Sequence, residues 1–174
     1  MNYSGIIGSD IANGEGVRVS LFVSGCTHHC SGCFNESTWD FAAGDPFTAD
    51  TEDLLLAELD HPWIAGLSLL GGEPMEPQNQ YVLVPFLRRL RTRFGHAKTI
   101  WCYTGCVLER DLLAESRWRT EVTDEFLDCL DVLVDGPFVE SLKDPSLAFR
   151  GSSNQRILRR MSDGRLSSWE DKNG

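Results

Sequence analysis

No apolar stretch in the chain is long enough to span a bilayer. The N-terminus also lacks the basic segment, apolar run and small-residue cleavage site of a secretory leader. These absences remove a helical membrane span from consideration and predict a cytoplasmic protein. There is no internal repeat, no low-complexity linker and no second Cys-x-x-Cys set. A chain of 174 residues with these features predicts one domain, large enough for a single hydrophobic core. Cations are scarce, with 16 Lys and Arg against 26 Asp and Glu and a net charge of −10. A broad nucleic-acid surface is therefore excluded, because phosphate binding needs Lys and Arg. The one basic group, Arg88, Arg89, Arg91 and Arg93, reads as a solvated helix face.

Cysteine is present in number, with six residues. In a reducing compartment they read as metal ligands, reactive thiols or core residues rather than a disulfide framework. Their setting follows from the pattern along the chain. Val17 to Val23, VRVSLFV, reads as a strand that ends at Ser24-Gly25, directly before the first cysteine. Thr51 to Leu59 has leucines at helical spacing. Leu67 to Leu70 reads as a buried strand stopped by Gly71-Gly72, and Asn79 to Phe94 as a helix that Pro85 kinks or shortens. Thr99 to Tyr103 and Asp131 to Val134 read as strands, Leu108 to Glu115 and Thr123 to Leu130 as helices, and Arg156 to Arg160 as a last strand. Residues 1–160 are expected to form the domain and 161–174 a mobile tail. Alternating strands and helices predict an α/β fold with a mainly parallel sheet. In such sheets sites form at the carboxyl ends of strands. The cysteines, Gly71-Gly72-Glu73-Pro74, Thr104-Gly105 and Asp135-Gly136 are thereby expected at one rim.

The cysteine cluster reads Gly25-Cys26-Thr27-His28-His29-Cys30-Ser31-Gly32-Cys33, spaced C-x3-C-x2-C. Three thiolates this close can hold three corners of an iron–sulfur cubane and leave one iron open, whereas electron-transfer clusters usually take four cysteines. Structural zinc is the competing reading, with His28 or His29 completing a Cys3His set. Cys106, after a Thr-Gly turn, is a further candidate for a fourth ligand. Cys102 and Cys129 read as core residues, and Trp39 as a packing anchor.

C-x3-C-x2-C after one strand and Gly-Gly-Glu-Pro after the next resemble the radical S-adenosylmethionine superfamily. The stretches FVSGCTHHCSGCFNESTW, LSLLGGEPMEPQN, IWCYTG, VLVDGPFV and KDPSLAFRGSSNQR are similar to the activating proteins of anaerobic, class III ribonucleotide reductases. The resemblance implies a 4Fe–4S cluster on Cys26, Cys30 and Cys33, with S-adenosylmethionine chelated to the open iron. It implies reductive cleavage to methionine and a 5′-deoxyadenosyl radical, which takes a hydrogen from a glycine of the reductase and leaves a glycyl radical there. It also implies a small incomplete β/α barrel, since a closed one needs about 250 residues, a flavodoxin-type electron donor and a homodimer.

Site roles follow from the same resemblance. Gly71 and Gly72 would let the backbone approach the methionine amino group. Glu73 would face that group or orient its loop. Gly32, Cys33 and Phe34 would line the nucleoside. Related activases carry an Asp-x-Lys element where this chain has Asp135-Gly136-Pro137, so Asp135 remains as a cofactor-side or turn residue and the lysine is missing. Arg150, Asn154 and Gln155 would cover the cofactor, contact the reductase or form an ordered loop. An activase of another glycyl-radical enzyme, of the formate-lyase type, and a non-enzymatic metal-binding protein are the alternatives.

Overall fold

The computed structural model describes residues 1–168. In chain order its elements are β1 (Asn2–Asp10), β2 (Val17–Val23), β3 (Asp45–Pro46), α1 (Ala49–Leu59), β4 (Ile64–Gly71), α2 (Pro77–Phe94), β5 (Thr99–Tyr103), α3 (Thr123–Asp128), β6 (Val132–Asp135), β7 (Arg156–Arg160) and β8 (Leu166–Ser168). The strands form one sheet in the order β3-β1-β2-β4-β5-β6-β7-β8. The pairings β2–β4, β4–β5 and β5–β6 are parallel, and each connection carries the helix that such a crossover needs. The pairings on either side are antiparallel. The expected parallel sheet is thus the centre of a mixed one.

Strand parity divides the sheet into two unlike faces. Val19, Leu21 and Val23 of β2, Leu67 and Leu69 of β4, Ile100 and Cys102 of β5 and Leu133 of β6 join one core with Leu55 and Leu59 of α1 and Leu83, Phe86, Leu87 and Leu90 of α2. Each such side chain contributes about 1.5–3 kcal/mol by leaving water. α2 starts with Pro77 in its first turn, where the missing N–H costs nothing, and ends at Gly95 with Arg91 and Arg93 in its last turn. Pro85 lies inside α2 on an exposed position.

The opposite face carries Arg18 and Ser20 of β2, Ser68 of β4 and Trp101 and Tyr103 of β5. Arg18 is fully buried there. It donates to Ser68 Oγ (2.7 Å), the Leu67 carbonyl (2.7 Å) and the Thr99 carbonyl and hydroxyl (2.9 Å each), and its guanidinium lies 5.4 Å from the centre of the Trp101 ring. Burial pushes its pKa down to about 10. Trp101, Val132 and Val134 form a second, smaller apolar cluster on this face, packed by Tyr103, Phe149 and Ile157.

Several segments depart from the sequence reading, among them the two-residue strand β3. β1 was not expected, because NYSGIIGSD has glycines and no clean alternation; its pairing with β2 carries register shifts near Gly5 and before Asp10. The helix expected at Leu108 to Glu115 is a single π turn, Leu108–Leu112, closed by Asp111 Oδ2 accepting the Val107 N–H at 2.7 Å. Part of the expected tail is ordered: Leu166–Ser168 pairs with Leu158–Arg160 as β8. The rest of that tail, 169–174, lies outside the described residues. No helix among the described residues is long and apolar enough to cross a membrane.

Candidate functional site

Loops after β2, β4, β5 and β6 meet around one cavity of about 370 Å³. Cys26, Cys30 and Cys33 all line it, and all three are free thiols. Their loop is pinned at its base, where the Gly25 N–H donates to the Thr38 carbonyl at 2.7 Å and the Cys26 N–H to the Trp39 carbonyl at 3.1 Å. Trp39 also stacks on His29, with ring centres 4.5 Å apart. Backbone polar groups act on the sulfurs. The Asn35 N–H lies 3.4 Å from Cys33 Sγ, and the backbones of His28 and His29 favour the Cys26 thiolate as that of Phe138 favours Cys30. Burial, with the Glu73 charge behind it, outweighs this backbone effect and pushes the Cys26 thiol up to about 12; burial likewise raises Cys30. A bound cation reverses this logic, because thiolate is the ligand form and metal binding releases the proton. Three free thiols on one cavity are a donor set that can hold an iron–sulfur cluster and leave one iron open.

The Gly-Gly-Glu-Pro loop closes the same wall. Gly71 has φ of 105°, and a Cβ there would sit 2.8 Å from the Phe22 backbone. At Gly72 a Cβ would sit 2.5 Å from the Gly25 carbonyl oxygen. The missing side chains therefore let this loop lie against the cysteine loop, which adds a use to the cofactor approach expected from sequence. The Gly72 and Glu73 N–H groups donate to the Val23 and Gly25 carbonyls, both at 2.8 Å.

Glu73 is buried and its carboxylate is fully engaged. Oε1 accepts from the Met75 N–H and Thr104 Oγ1, both at 2.8 Å; Oε2 meets the Gly105 N–H at 2.8 Å and His28 Nε2 at 2.9 Å. These four bonds tie the loops after β2, β4 and β5 to one carboxylate. His28 stacks on Trp118 (4.4 Å, 16° between planes), and the Arg117 guanidinium lies over the indole at 4.2 Å. Ligand atoms of His28, Glu73 and Cys106 fall within 4.8 Å of one another. Glu73 has no free lone-pair direction, however, and burial drives the Cys106 thiol far above its ordinary value. The trio is a hydrogen-bonded packing group beside the cysteine loop.

The cavity brings together Cys26, Cys30, Cys33, Phe34, Gly71, Gly72 and Glu73. Gly32 and Asp135 are not among its lining residues. Gly32 lies against the Glu140 side chain instead. Asp135 shares strand parity with Leu133 and points to the opposite side of the sheet from Val132 and Val134. There it is fully buried, accepts the Leu108 N–H at 2.9 Å and pairs with Arg156 Nε at 2.8 Å. These contacts hold Asp135 at the end of β6, and the neighbouring Gly136 lines the cavity. Cys102 and Cys129 are core residues, as expected. Sequence reading did not single out Asn13, Tyr103 or Phe149, which also line the cavity. Strand parity after Trp101 is the signal that could have found Tyr103; nothing local marks the other two.

A family model described as a 4Fe-4S single cluster domain matches residues 12–158. The anaerobic ribonucleoside-triphosphate reductase-activating protein of Pasteurella multocida (strain Pm70) is 44% identical over 91% of this chain and 98% of its own length. The protein of the same name from Escherichia coli (strain K12) is 44% identical over 90% of this chain and 97% of its own. That of Enterobacteria phage T4 is 40% identical over 90% and 93%. Similarity of this extent covers every loop that builds the cavity, and the chain belongs to the family of anaerobic ribonucleoside-triphosphate reductase-activating proteins.

Proposed function

We propose that the chain activates an anaerobic ribonucleotide reductase by generating a glycyl radical on it, using a 4Fe–4S cluster and S-adenosylmethionine. The observation that carries this reading is the meeting of three free cysteines and the Gly-Gly-Glu-Pro loop on one cavity. When bound, the cluster supplies one electron to S-adenosylmethionine, which yields methionine and the 5′-deoxyadenosyl radical that takes the glycine hydrogen.

The protein's part is to hold and enclose. Cys26, Cys30 and Cys33 ligate the cluster, and backbone polar groups near their sulfurs tune it. The backbone of Gly71 and Gly72 receives the methionine end. Glu73 fixes the relation of the loops after β2, β4 and β5, so that cluster and cofactor keep one geometry. Phe34, two-thirds exposed at 68%, offers its ring to the nucleoside beside Cys33. Gly32 contributes by letting the cysteine loop pass Glu140, and Asp135 by fixing the end of β6. The central parallel strands with their helices are read as an incomplete β/α barrel, whose open side admits a loop of the reductase. A cytoplasmic location, a flavodoxin-type reductant and a homodimer go with this reading.

The test is anaerobic reconstitution followed by dithionite and S-adenosylmethionine. About four irons per chain and formation of 5′-deoxyadenosine are expected, with both lost in Cys26→Ala. Tightly bound zinc without iron or sulfide, and no 5′-deoxyadenosine, would refute the proposal.

A further inference from the structure

The segment joining β6 to β7, residues 136–155, touches the cysteine loop and also lines the cavity. Near its start Glu140 accepts from Ser31 Oγ at 2.8 Å, and Phe34 packs on Phe138 at 5.5 Å with Lys143 Nζ 4.7 Å from its ring centre. Farther on, Phe149 and Arg150 line the cavity. The segment is tied back on itself: Gln155 Oε1 accepts the Gly151 and Ser152 N–H groups at 2.9 and 3.2 Å, and Asn154 Nδ2 donates to the Pro137 carbonyl at 2.8 Å.

Three local costs line this one cavity, two in the segment and one on β5. Phe149 has φ of 55°, a left-handed conformation rare for a bulky side chain. Its ring meets Trp101 edge-on at 5.3 Å. Nearby on the cavity wall, the Tyr103 hydroxyl and Arg150 Nε are buried without a hydrogen-bond partner. Arg150 makes one hydrogen bond, from a terminal nitrogen to the Gln155 carbonyl at 3.3 Å, and pairs with no carboxylate among the described residues. Buried polar groups are normally satisfied, so two orphans lining one cavity ask what completes them.

Both orphans can donate, so an acceptor is missing. An extended peptide presents carbonyls at short intervals, and at glycine it brings no side chain into the space beside an aromatic wall. We infer that Tyr103 and Arg150 receive backbone carbonyls of an extended, glycine-bearing segment of the partner, and that Phe149 is the plug which this segment displaces from Trp101. The inference rests on the radical-transfer reading for the identity of the peptide.

Titration calorimetry of the reconstituted protein with a synthetic peptide spanning the glycine loop of the reductase tests it. Phe149→Gly, which relieves the backbone and removes the plug, is expected to bind about tenfold more tightly than wild type. Tyr103→Phe and Arg150→Gln are each expected to bind about tenfold more weakly. Tyr103→Phe removes only an orphaned hydroxyl, so its Tm without peptide should be unchanged or higher; a merely structural role would lower it. If Phe149→Gly does not fold, Phe149→Asn, which also tolerates the left-handed region, replaces it. Equal affinities across wild type and variants, no binding even by the unplugged variant, or a loss confined to S-adenosylmethionine would overturn the inference. Failure of wild type to cleave S-adenosylmethionine would refute the radical reading instead, and the peptide affinities would still decide this one.

Discussion

Glu73 sits where a glutamate on a cofactor loop would be assigned to the ligand, yet four protein donors from three loops occupy its two oxygens. Replacing it with Gln turns one acceptor into a donor that faces other donors. Glu73→Gln is therefore expected to lower stability by about 3 kcal/mol in a denaturant melt and to weaken cofactor binding with it. Retained stability with weakened binding alone would place the carboxylate on the cofactor. Asp10 behaves differently. Burial pushes its carboxyl up, but bonds from Ser20 (2.5 Å), Asn13 (2.6 Å) and the Ala12 N–H (2.7 Å) outweigh this and hold it below its ordinary value of 3.8. A depressed carboxyl lends stability that is present above the unfolded value and lost as pH falls through the folded one. The Tm difference between wild type and Asp10→Asn should accordingly be full at neutral pH and shrink as pH drops below 3.8. A difference that does not change with pH would show that the charge is not what stabilises.

Among the elements, β6 carries the clearest lesson about what a sequence discloses. Its existence was legible from an apolar run closed by Asp-Gly-Pro, but its facing was not, because four residues that are all buried show no alternation. Only the paired strands fix that Val132 and Val134 face Trp101 while Asp135 faces Arg156. Arg156→Gln leaves Asp135 a buried charge without its partner, and should cost about 3 kcal/mol in chemical denaturation. Asp135→Asn should likewise reduce stability while leaving the affinity for S-adenosylmethionine near wild type; an affinity loss at unchanged stability would return Asp135 to the cofactor. The strands β2, β4 and β5 were legible for the same reason as β6, as β-branched or apolar runs cut by glycine or polar residues. β1 was not, since its partner β2 lies across a glycine-rich turn and supplies the pairing that its own pattern lacks.

For the molecule as a whole, the core and the site are built from separable sets of residues. The large core cluster joins the helix-covered sheet face to α1, α2 and α3, and none of Cys26, Cys30 and Cys33 belongs to it. Replacing all three with Ala should thus abolish iron binding yet preserve far-UV circular dichroism and a cooperative melt; collapse of the fold would mean that the cluster is structural. The same separation explains how much of the site could be read from the sequence. Cys26, Cys30, Cys33, Gly71 and Gly72 are close in sequence to strand ends and announce themselves by type and spacing. Tyr103, Phe149 and Asn13 reach the cavity only because a mixed sheet brings its second face and a long connection together, and no local pattern encodes that. The central claim is that this cavity makes a radical for a partner glycine, and electron paramagnetic resonance measures it most directly. Anaerobic incubation of the reconstituted, reduced protein with S-adenosylmethionine and the reductase should give a glycyl-radical doublet on the reductase, absent when Cys26→Ala is used. A doublet that forms equally with Cys26→Ala, or none with the iron-loaded wild type, would contradict the account.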